Sequence, residues 1–236
     1  MRVAALYDIH GNLPALEAVL ADPRLAGADV IVCGGDLVAG PMPASCFDRL
    51  SALGSRVRFV RGNGDRDVAE QSDAHGGSWC AAALGPKRLA AVAAWPLTVE
   101  LGVAGGTTFC HATPRSDAEI VTRLTPDDQL EEILADAAFD LVVCGHTHVQ
   151  VDRRLAGRRR LVNAGSVGRP YEGASGAFWA LLEDDVELLH TDYDVEEAAA
   201  AIRASGYPDA GDHASQLLDP PTTDEVSAYF ESLRGA

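Results

Sequence analysis

Short apolar runs of four or five residues recur along this chain, and each is bounded by glycine or charge. They fall at 3–7, 30–33, 57–60, 97–101, 107–110 and 141–144. Runs of that length, rich in Val, Leu, Ile, Thr and Phe, are the mark of buried strands and are too short for helices. Between several of them lie helical patterns at 13–20, 44–53, 79–95 and 126–138, and Pro14 and Pro126 suit a first helical turn. Strand and helix alternate, so the expected class is α/β. After Cys144 the rhythm changes. Residues 149–155 and 160–163 read as a hairpin around Ala156-Gly157, and 177–182 and 186–190 as another around Asp184-Asp185. An α/β portion followed by a mostly β portion predicts a second sheet packed on the first.

Two further helical patterns, 196–204 and 224–233, are separated by a Gly/Pro/Asp-rich stretch at 206–223. A length of 236 residues suits one large domain with a small appendage. The expected division is a main domain at 1–190 and an acidic, partly helical appendage or cap at 191–236. Charge supports that division. The net charge is -16, yet residues 1–169 hold 20 acidic and 17 basic side chains, whereas residues 170–236 hold 15 and 2. The acidity is therefore a property of the C-terminal stretch, most simply a solvated face. It argues against non-specific nucleic-acid binding, which needs a basic stripe.

No run approaches the ~18 apolar residues of a membrane span. The first run is too short for a signal-peptide core and is interrupted by Asp8 and His10. The expectation is a cytoplasmic protein without a membrane partner; a homo-oligomer is left open. The five cysteines, Cys33, Cys46, Cys80, Cys110 and Cys144, show no C-x-x-C spacing. Free thiols in apolar runs behave as small hydrophobes and fit a reducing compartment.

The strand-like runs share a second property: they end in metal-binding residue types. Residues 3–7 lead into Asp8-Ile9-His10, and 30–33 into Gly34-Gly35-Asp36. Residues 57–60 lead into Arg61-Gly62-Asn63-Gly64-Asp65, 107–110 into His111, and 141–144 into Gly145-His146-Thr147-His148. In a mostly parallel sheet the carboxyl ends lie along one edge, where ligands bind. Five segments distant in sequence would then deliver side chains to one place. Each motif alone is common in turns and helix starts; the ordered set is not. A mixed set of carboxylates, imidazoles and one amide suits Mn, Fe, Zn, Co or Ni rather than calcium or magnesium. It exceeds what one tetrahedral or octahedral ion can use, so two ions are the economical reading.

In order and in context, the series D-x-H, G-D, G-N-x-D, H and G-H-x-H resembles the calcineurin-like metallophosphoesterase superfamily. Asp8-Ile9-His10-Gly11-Asn12 and Asn163-Ala164-Gly165-Ser166-Val167-Gly168 are similar to its small bacterial and archaeal phosphodiesterase branch. The resemblance covers about residues 1–190. It implies two packed β-sheets flanked by helices, with the C-terminal helical appendage added. It also implies two divalent transition metal ions, manganese first among them. One would be held by Asp8, His10 and His148, the other by Asn63, His111 and His146, with Asp36 bridging. The implied reaction is hydrolysis of a phosphodiester or an activated phosphate ester by in-line attack of a metal-bridging hydroxide. Asp36, Asn63 and His111 would be central to it, and no G-x-S-x-G nucleophile motif is present.

One position departs from the family's commonest pattern, G-N-H-[DE], whose His protonates the leaving group. Here the residues are Asn63-Gly64-Asp65, so that acid is missing, and Asp65 is left as an acceptor that could orient a ligand. His75, in the Gly-rich loop Asp73-Ala74-His75-Gly76-Gly77, is a candidate replacement acid against the plainer reading of a surface histidine. Asn12, Arg66 and Arg115 are candidates to contact a small phosphorylated substrate, possibly including a nucleotide; for the two arginines the rival reading is a surface ion pair. The run Arg158-Arg159-Arg160, with Arg153 and Arg154, reads as an exposed face. Two alternatives to the phosphodiesterase reading stand: a nucleotide pyrophosphohydrolase or phosphatase on the same site, and a non-catalytic metal-binding scaffold of the same fold.

Overall fold

The third to sixth residues of the chain are buried on both faces, and they explain the architecture. Val3 and Ala5, joined by Tyr7, point into one apolar layer; Ala4 and Leu6 point into another. A strand with successive side chains on opposite sides and no polar face has to be covered twice. The computed structural model, which describes residues 1–234 apart from the side chain of His75, shows what covers it.

In chain order the strands are β1 (Val3–Leu6), β2 (Val30–Cys33), β3 (Val57–Phe59), β4 (Thr98–Leu101), β5 (Thr107–Cys110), β6 (Leu141–Cys144), β7 (Val151–Arg154), β8 (Arg160–Asn163), β9 (Ala177–Leu182) and β10 (Val186–Thr191). The helices are α1 (Leu13–Ala21), α2 (Pro43–Ser51), α3 (Asn63–Ala69), α4 (Gly77–Ala93), α5 (Asp127–Ile133), α6 (Val195–Ala204), α7 (Ala210–Leu218) and α8 (Thr223–Leu233). Among the described residues they build two mixed five-stranded sheets, ordered β10-β9-β1-β2-β3 and β4-β5-β6-β8-β7. Within each, three neighbouring strands pair in parallel, β1-β2-β3 and β5-β6-β8; antiparallel pairs add β9 and β10 beside β1 in the first sheet and β4 and β7 at the two edges of the second.

Val3, Ala5, Tyr7 and Val32 of the first sheet meet Phe109, Val143 and Val162 of the second in one apolar layer, and the Tyr7 hydroxyl donates across it to the Val143 carbonyl at 2.8 Å. The outer face of the first sheet packs on α1, α2, α4, α6 and α7. That of the second packs on Leu130 and Ile133 of α5 and on Leu134 just after it. Helices therefore flank two packed sheets, as the resemblance implies. The assignment of strands differs from the sequence reading. The second sheet begins at β4, within the α/β portion, and the hairpin β9–β10 returns to the first sheet beside β1. Local patterns specify strands but not their partners, and that is the physical reason for the difference.

Two helices fall where none was expected. The first, α3, starts on Asn63 itself, and α7 lies inside the stretch 206–223. The long pattern at 79–95 is a helix broken at Gly85, whose φ of 71° and ψ of 167° precede Pro86. Beyond residue 190 the chain stays attached to the core: Ala198, Ala199 and Ile202 of α6 and Ala214 and Leu217 of α7 are buried with the first sheet. All five cysteines are buried and free, and no described helix is long and apolar enough to cross a membrane.

Candidate metal centre

The parallel strands of both sheets end on a common edge, and the chain turns sharply there. Of the seven non-glycine residues with positive φ among the described residues, five are Asp8, His10, Asp36, His146 and His148, at φ between 47° and 69°. Left-handed backbone disfavours residues with a Cβ by roughly 1–2 kcal/mol each and persists only where the surroundings over-determine it. Here they do. Beyond the end of β1 the backbone keeps pairing with the segment after β2: the N–H groups of Asp8, His10 and Gly11 donate to the carbonyls of Gly35, Asp36 and Leu37 at 3.1, 2.8 and 3.0 Å. The N–H groups of Val167 and Gly168 donate to the Tyr7 and Asp8 carbonyls at 3.0 Å each.

The imidazoles are aimed by backbone. His10 Nδ1 lies 3.0 Å from the Ala39 carbonyl, His111 Nδ1 3.0 Å from that of Gly34, and His148 Nδ1 2.6 Å from that of Arg169. A carbonyl can only accept, so each Nδ1 carries the proton and each Nε2 presents a lone pair. Those lone pairs converge on two carboxylates. Asp8 Oδ1 is 3.2 Å from His148 Nε2 and 3.8 Å from the Nε2 atoms of His10 and His111. Asp36 Oδ2 is 3.6 Å from the Nε2 atoms of both His10 and His111. The other carboxylate oxygens are fixed by N–H donors, Asp8 Oδ2 by His146 at 2.8 Å and Asp36 Oδ1 by Gly64 at 2.7 Å. A Cβ at Gly145 would stand 2.3 Å from Asp8 Oδ2, and one at Gly62 would stand 2.1 Å from Asp36 Oδ1, so only glycine permits this approach.

This donor set fits a cation and little else. His10 Nε2 faces His148 Nε2 at 3.1 Å, and His111 Nε2 faces Asn63 Oδ1 at 3.2 Å. With the protons on Nδ1, and Asn63 turning its Oδ1 to His111, each of these pairs brings two acceptors together. Asp8 Oδ1 is fully buried and has no hydrogen-bond partner among the described residues. Two groups, Asp8–His10–His148 and Asp8–Asp36–His111, have the compactness a metal ion requires. Asp8 is the residue the two groups share, and Asp36 belongs to the second.

Electrostatics agree with a site built around positive charge. Burial alone would raise Asp8, but His148 and His111 hold it below its usual range. Burial pushes Asp36 up, opposed by His111. Burial pulls His10 down, helped by His148, and brings His146 to about 3, helped by His111. His111 is the exception: burial would lower it, yet Asp36 and Asp8 raise it. Neutral imidazoles at His10 and His146 are what ligation needs. His146 also stands with its ring 5.2 Å from that of His111 and 6.2 Å from that of Phe230 on α8.

The remaining candidates lie elsewhere. Asn12 is buried at the start of α1, where Oδ1 accepts from the Ala15 N–H and Nδ2 donates to the Gly168 carbonyl and the Tyr193 hydroxyl. Its polar atoms are engaged with the fold. Arg66 pairs with Asp117 and Asp67, and Arg115 pairs with Glu119 at 2.7 Å. The side chain of His75 is outside the described residues. On the hairpin β7–β8, Arg160 is buried rather than exposed and pairs with Asp152 and Asp185; Arg153, Arg154 and Arg159 also face acids.

Sequence reasoning offered Asp65 as an acceptor that could orient a ligand and missed the other residues that brace the site. Asp65 is fully buried and accepts from four backbone N–H groups, those of Asp36, Leu37, Val38 and Gly62. Asn163 Nδ2 donates to the Gly145 carbonyl and Thr147 Oγ1, and Ser166 Oγ donates to the Asp8 carbonyl at 2.7 Å. The stretch Asn163–Gly168 therefore stitches two ligand-bearing turns together. Tyr171 stacks on His148 at 4.6 Å between ring centres. Arg169, whose carbonyl holds His148, directly follows that stretch, and its position was the available signal.

Residues 1–185 match the family model described as the calcineurin-like phosphoesterase superfamily domain. The chain is 28% identical over 235 residues to the uncharacterized protein MJ0912 of Methanocaldococcus jannaschii, covering 88% of this chain and 94% of that one. It is 36% identical over 77 residues to the phosphodiesterase YfcE of Escherichia coli, covering 29% and 42% of the two chains. In fold it is similar to a metallophosphoesterase from Sphaerobacter thermophilus, with TM-score 0.76, 24% identity and coverage of 93% and 99%. The hypothetical protein PH1004 of Pyrococcus horikoshii gives TM-score 0.80, 19% identity and coverage of 94% and 99%.

Proposed function

Because this chain belongs to the calcineurin-like phosphoesterase superfamily and is thereby a metal-dependent phosphoric ester hydrolase, we propose that it cleaves a phosphodiester or an activated phosphate ester at a dinuclear centre. The supporting observation is the pair of facing acceptor groups, His10 with His148 and His111 with Asn63, arranged about Asp8 and Asp36. Similarity to the E. coli phosphodiesterase YfcE supports a diester substrate. Asp8, His10 and His148 would hold one ion, Asn63, His111 and His146 the other, with Asp36 between them. When bound, the ions supply Lewis-acid activation of water and neutralise charge on the phosphoryl group. Manganese is the first candidate for a mixed N/O set, with Fe, Zn, Ni and Co as alternatives.

The chain's own contribution is rigidity. Three imidazoles locked by backbone carbonyls and two carboxylates clamped by N–H donors hold their geometry before substrate arrives, which is what preorganised electrostatic catalysis requires. At Gly64 there is no side chain to protonate a leaving group. General acid catalysis contributes ~10²–10⁴-fold, so leaving groups that are already stable anions should be favoured. With a series of aryl and alkyl diesters, the rate is expected to fall steeply as leaving-group pKa rises. Two ions per chain are expected by elemental analysis, and Asp36→Asn should weaken both sites while the fold survives. Retention of full activity by Asp36→Asn at limiting metal would refute the dinuclear arrangement.

A further inference from the structure

A cavity of about 340 Å³ opens beside His10 and Ala39 on the catalytic edge, and Arg169 lines it together with residues of the C-terminal segment, among them Gln216 of α7. The backbone of Arg169 is held on both sides by the scaffold of the metal centre. Its N–H donates to Ser166 Oγ at 2.8 Å, and its carbonyl lies 2.6 Å from His148 Nδ1. Ser166 Oγ in turn donates to the Asp8 carbonyl at 2.7 Å. The base of this side chain is therefore fixed relative to two of the proposed metal ligands. Its far end is fixed by α7: Nε donates to Gln216 Oε1 at 2.7 Å, and Nη2 donates to the same oxygen.

That arrangement occupies one edge of the guanidinium and leaves the other. Of the five N–H donors such a group carries, two go to a single neutral amide oxygen. Nη1 has no hydrogen-bond partner among the described residues, and among them no carboxylate stands within ion-pairing distance of Arg169. Arg66 and Arg115 differ: they direct their donors to Asp117, Asp67 and Glu119. Asp209 and Asp212 also line the cavity, but both are exposed, where solvent and salt weaken their pull on the cation. A half-buried guanidinium positioned by a neutral group keeps its charge for a ligand. The free donors of Nη1 and Nη2 form a fork that matches two oxygens of a phosphoryl group.

We propose that Arg169 is a substrate-binding residue, forking onto the non-bridging oxygens of the phosphoryl group in the cavity beside His10, and that Gln216 is the residue that positions it. The inference rests on the phosphoesterase reading above. It gives the C-terminal segment, through α7, a part in substrate binding that the metal ligands do not require.

The test uses the metal-loaded protein, with bis(4-nitrophenyl) phosphate as substrate and inorganic phosphate as a binding probe in calorimetry. Arg169→Gln is expected to keep the metal content of the parent and to raise both KM for the diester and Kd for phosphate by about 10- to 100-fold, the range for a hydrogen bond to a charged group. A contact already made in the ground state acts on KM more than on kcat, so kcat should change less. Arg169→Lys, which keeps the charge without the fork, should fall between parent and Arg169→Gln. Gln216→Leu should raise both constants severalfold, because the guanidinium is no longer held. If Arg169→Gln fails to fold, Arg169→Lys and Gln216→Leu carry the same readouts. Were Arg169 only a staple between α7 and the catalytic edge, the variants would lower the denaturation midpoint and leave KM and phosphate affinity unchanged; that result overturns the proposal and leaves the activity standing. Metal-loaded parent protein that hydrolyses no ester yet binds phosphate with the expected dependence on Arg169 would overturn the phosphoesterase reading and leave the anion site standing.

Discussion

Gly64 occupies the place where the commonest family pattern has a histidine, and its surroundings show why restoring that side chain is not simple. A Cβ there would come within 2.7 Å of the Ala39 Cβ and 3.0 Å of Asp36 Oδ1. Its N–H already donates to Asp36. Overpacking of this kind typically costs ~1–3 kcal/mol. Gly64→His alone is therefore expected to lower the melting temperature by roughly 2–12 °C for a chain of this size and to leave the leaving-group dependence steep. Gly64→His with Ala39→Gly should recover most of the stability and flatten that dependence. A single Gly64→His variant with unchanged stability would show that Ala39 yields more easily than its position suggests. The residues that could be named from sequence alone were those whose chemistry is in the side chain: two carboxylates, four imidazoles and an amide. What could not be named was their backbone state. Nothing in Asp8, His10, Asp36, His146 or His148 as residue types announces a positive φ, because that conformation is imposed by pairing with segments far away in the chain.

Among the elements, α3 carries the least visible consequence. It begins at Asn63, and its third residue, Asp65, reaches back to the turn after β2 and accepts from three of its N–H groups. One short helix thus holds the Asp36 turn in register with Asn63. Burial and the neighbouring Asp36 push Asp65 up to about 7, while the backbone donors favour its ionised form. Asp65→Ala should leave several buried N–H groups unpaired, at ~1–3 kcal/mol for each. A loss of about 3–5 kcal/mol is expected in denaturant unfolding, together with weakened metal binding. Stability within ~1 kcal/mol of the parent would mean that water replaces the carboxylate at little cost. This helix was unreadable beforehand because seven residues give too short a period to detect and its first residues look like a glycine turn. The second unread helix, α7, had the same difficulty: its apolar positions sit among Gly, Asp and Pro.

At the scale of the whole molecule, the C-terminal segment and the main domain share one core. Ile202 and Leu217 are fully buried against the first sheet, and burying two such side chains is worth about 3–6 kcal/mol. We expect a chain ending at residue 190 to be less stable by at least that amount, read as a lower denaturation midpoint. Its folded fraction should still bind two ions per chain, since every proposed ligand lies before residue 149. Metal stoichiometry that dropped in a folded truncation would mean that the tail supplies a ligand. The tail's acidity fits this arrangement, for α6 and α7 bury alanines with Ile202 and Leu217, and α8 buries Val226, while Glu196, Glu197, Asp212, Asp224 and Glu225 stay exposed.

The sequence by itself determined which strands exist and what stands at their ends. Period-2 patterns and short apolar runs are local, and so are D-x-H and G-H-x-H; they survive any arrangement of the rest of the chain. The resemblance they carry extended that reading to two packed sheets and a metal-dependent hydrolase. Only the tertiary structure decided which strands are neighbours, because the hairpin β9–β10 can pair with β1 or extend the second sheet without any change in its own pattern. It also decided which polar residues brace the site and which face a ligand. Asn12 and Asp65 carry the same groups as metal or substrate contacts, and their roles depend on what long-range packing brings to them, the Gly168 carbonyl to Asn12 and the N–H groups of the Asp36 turn to Asp65.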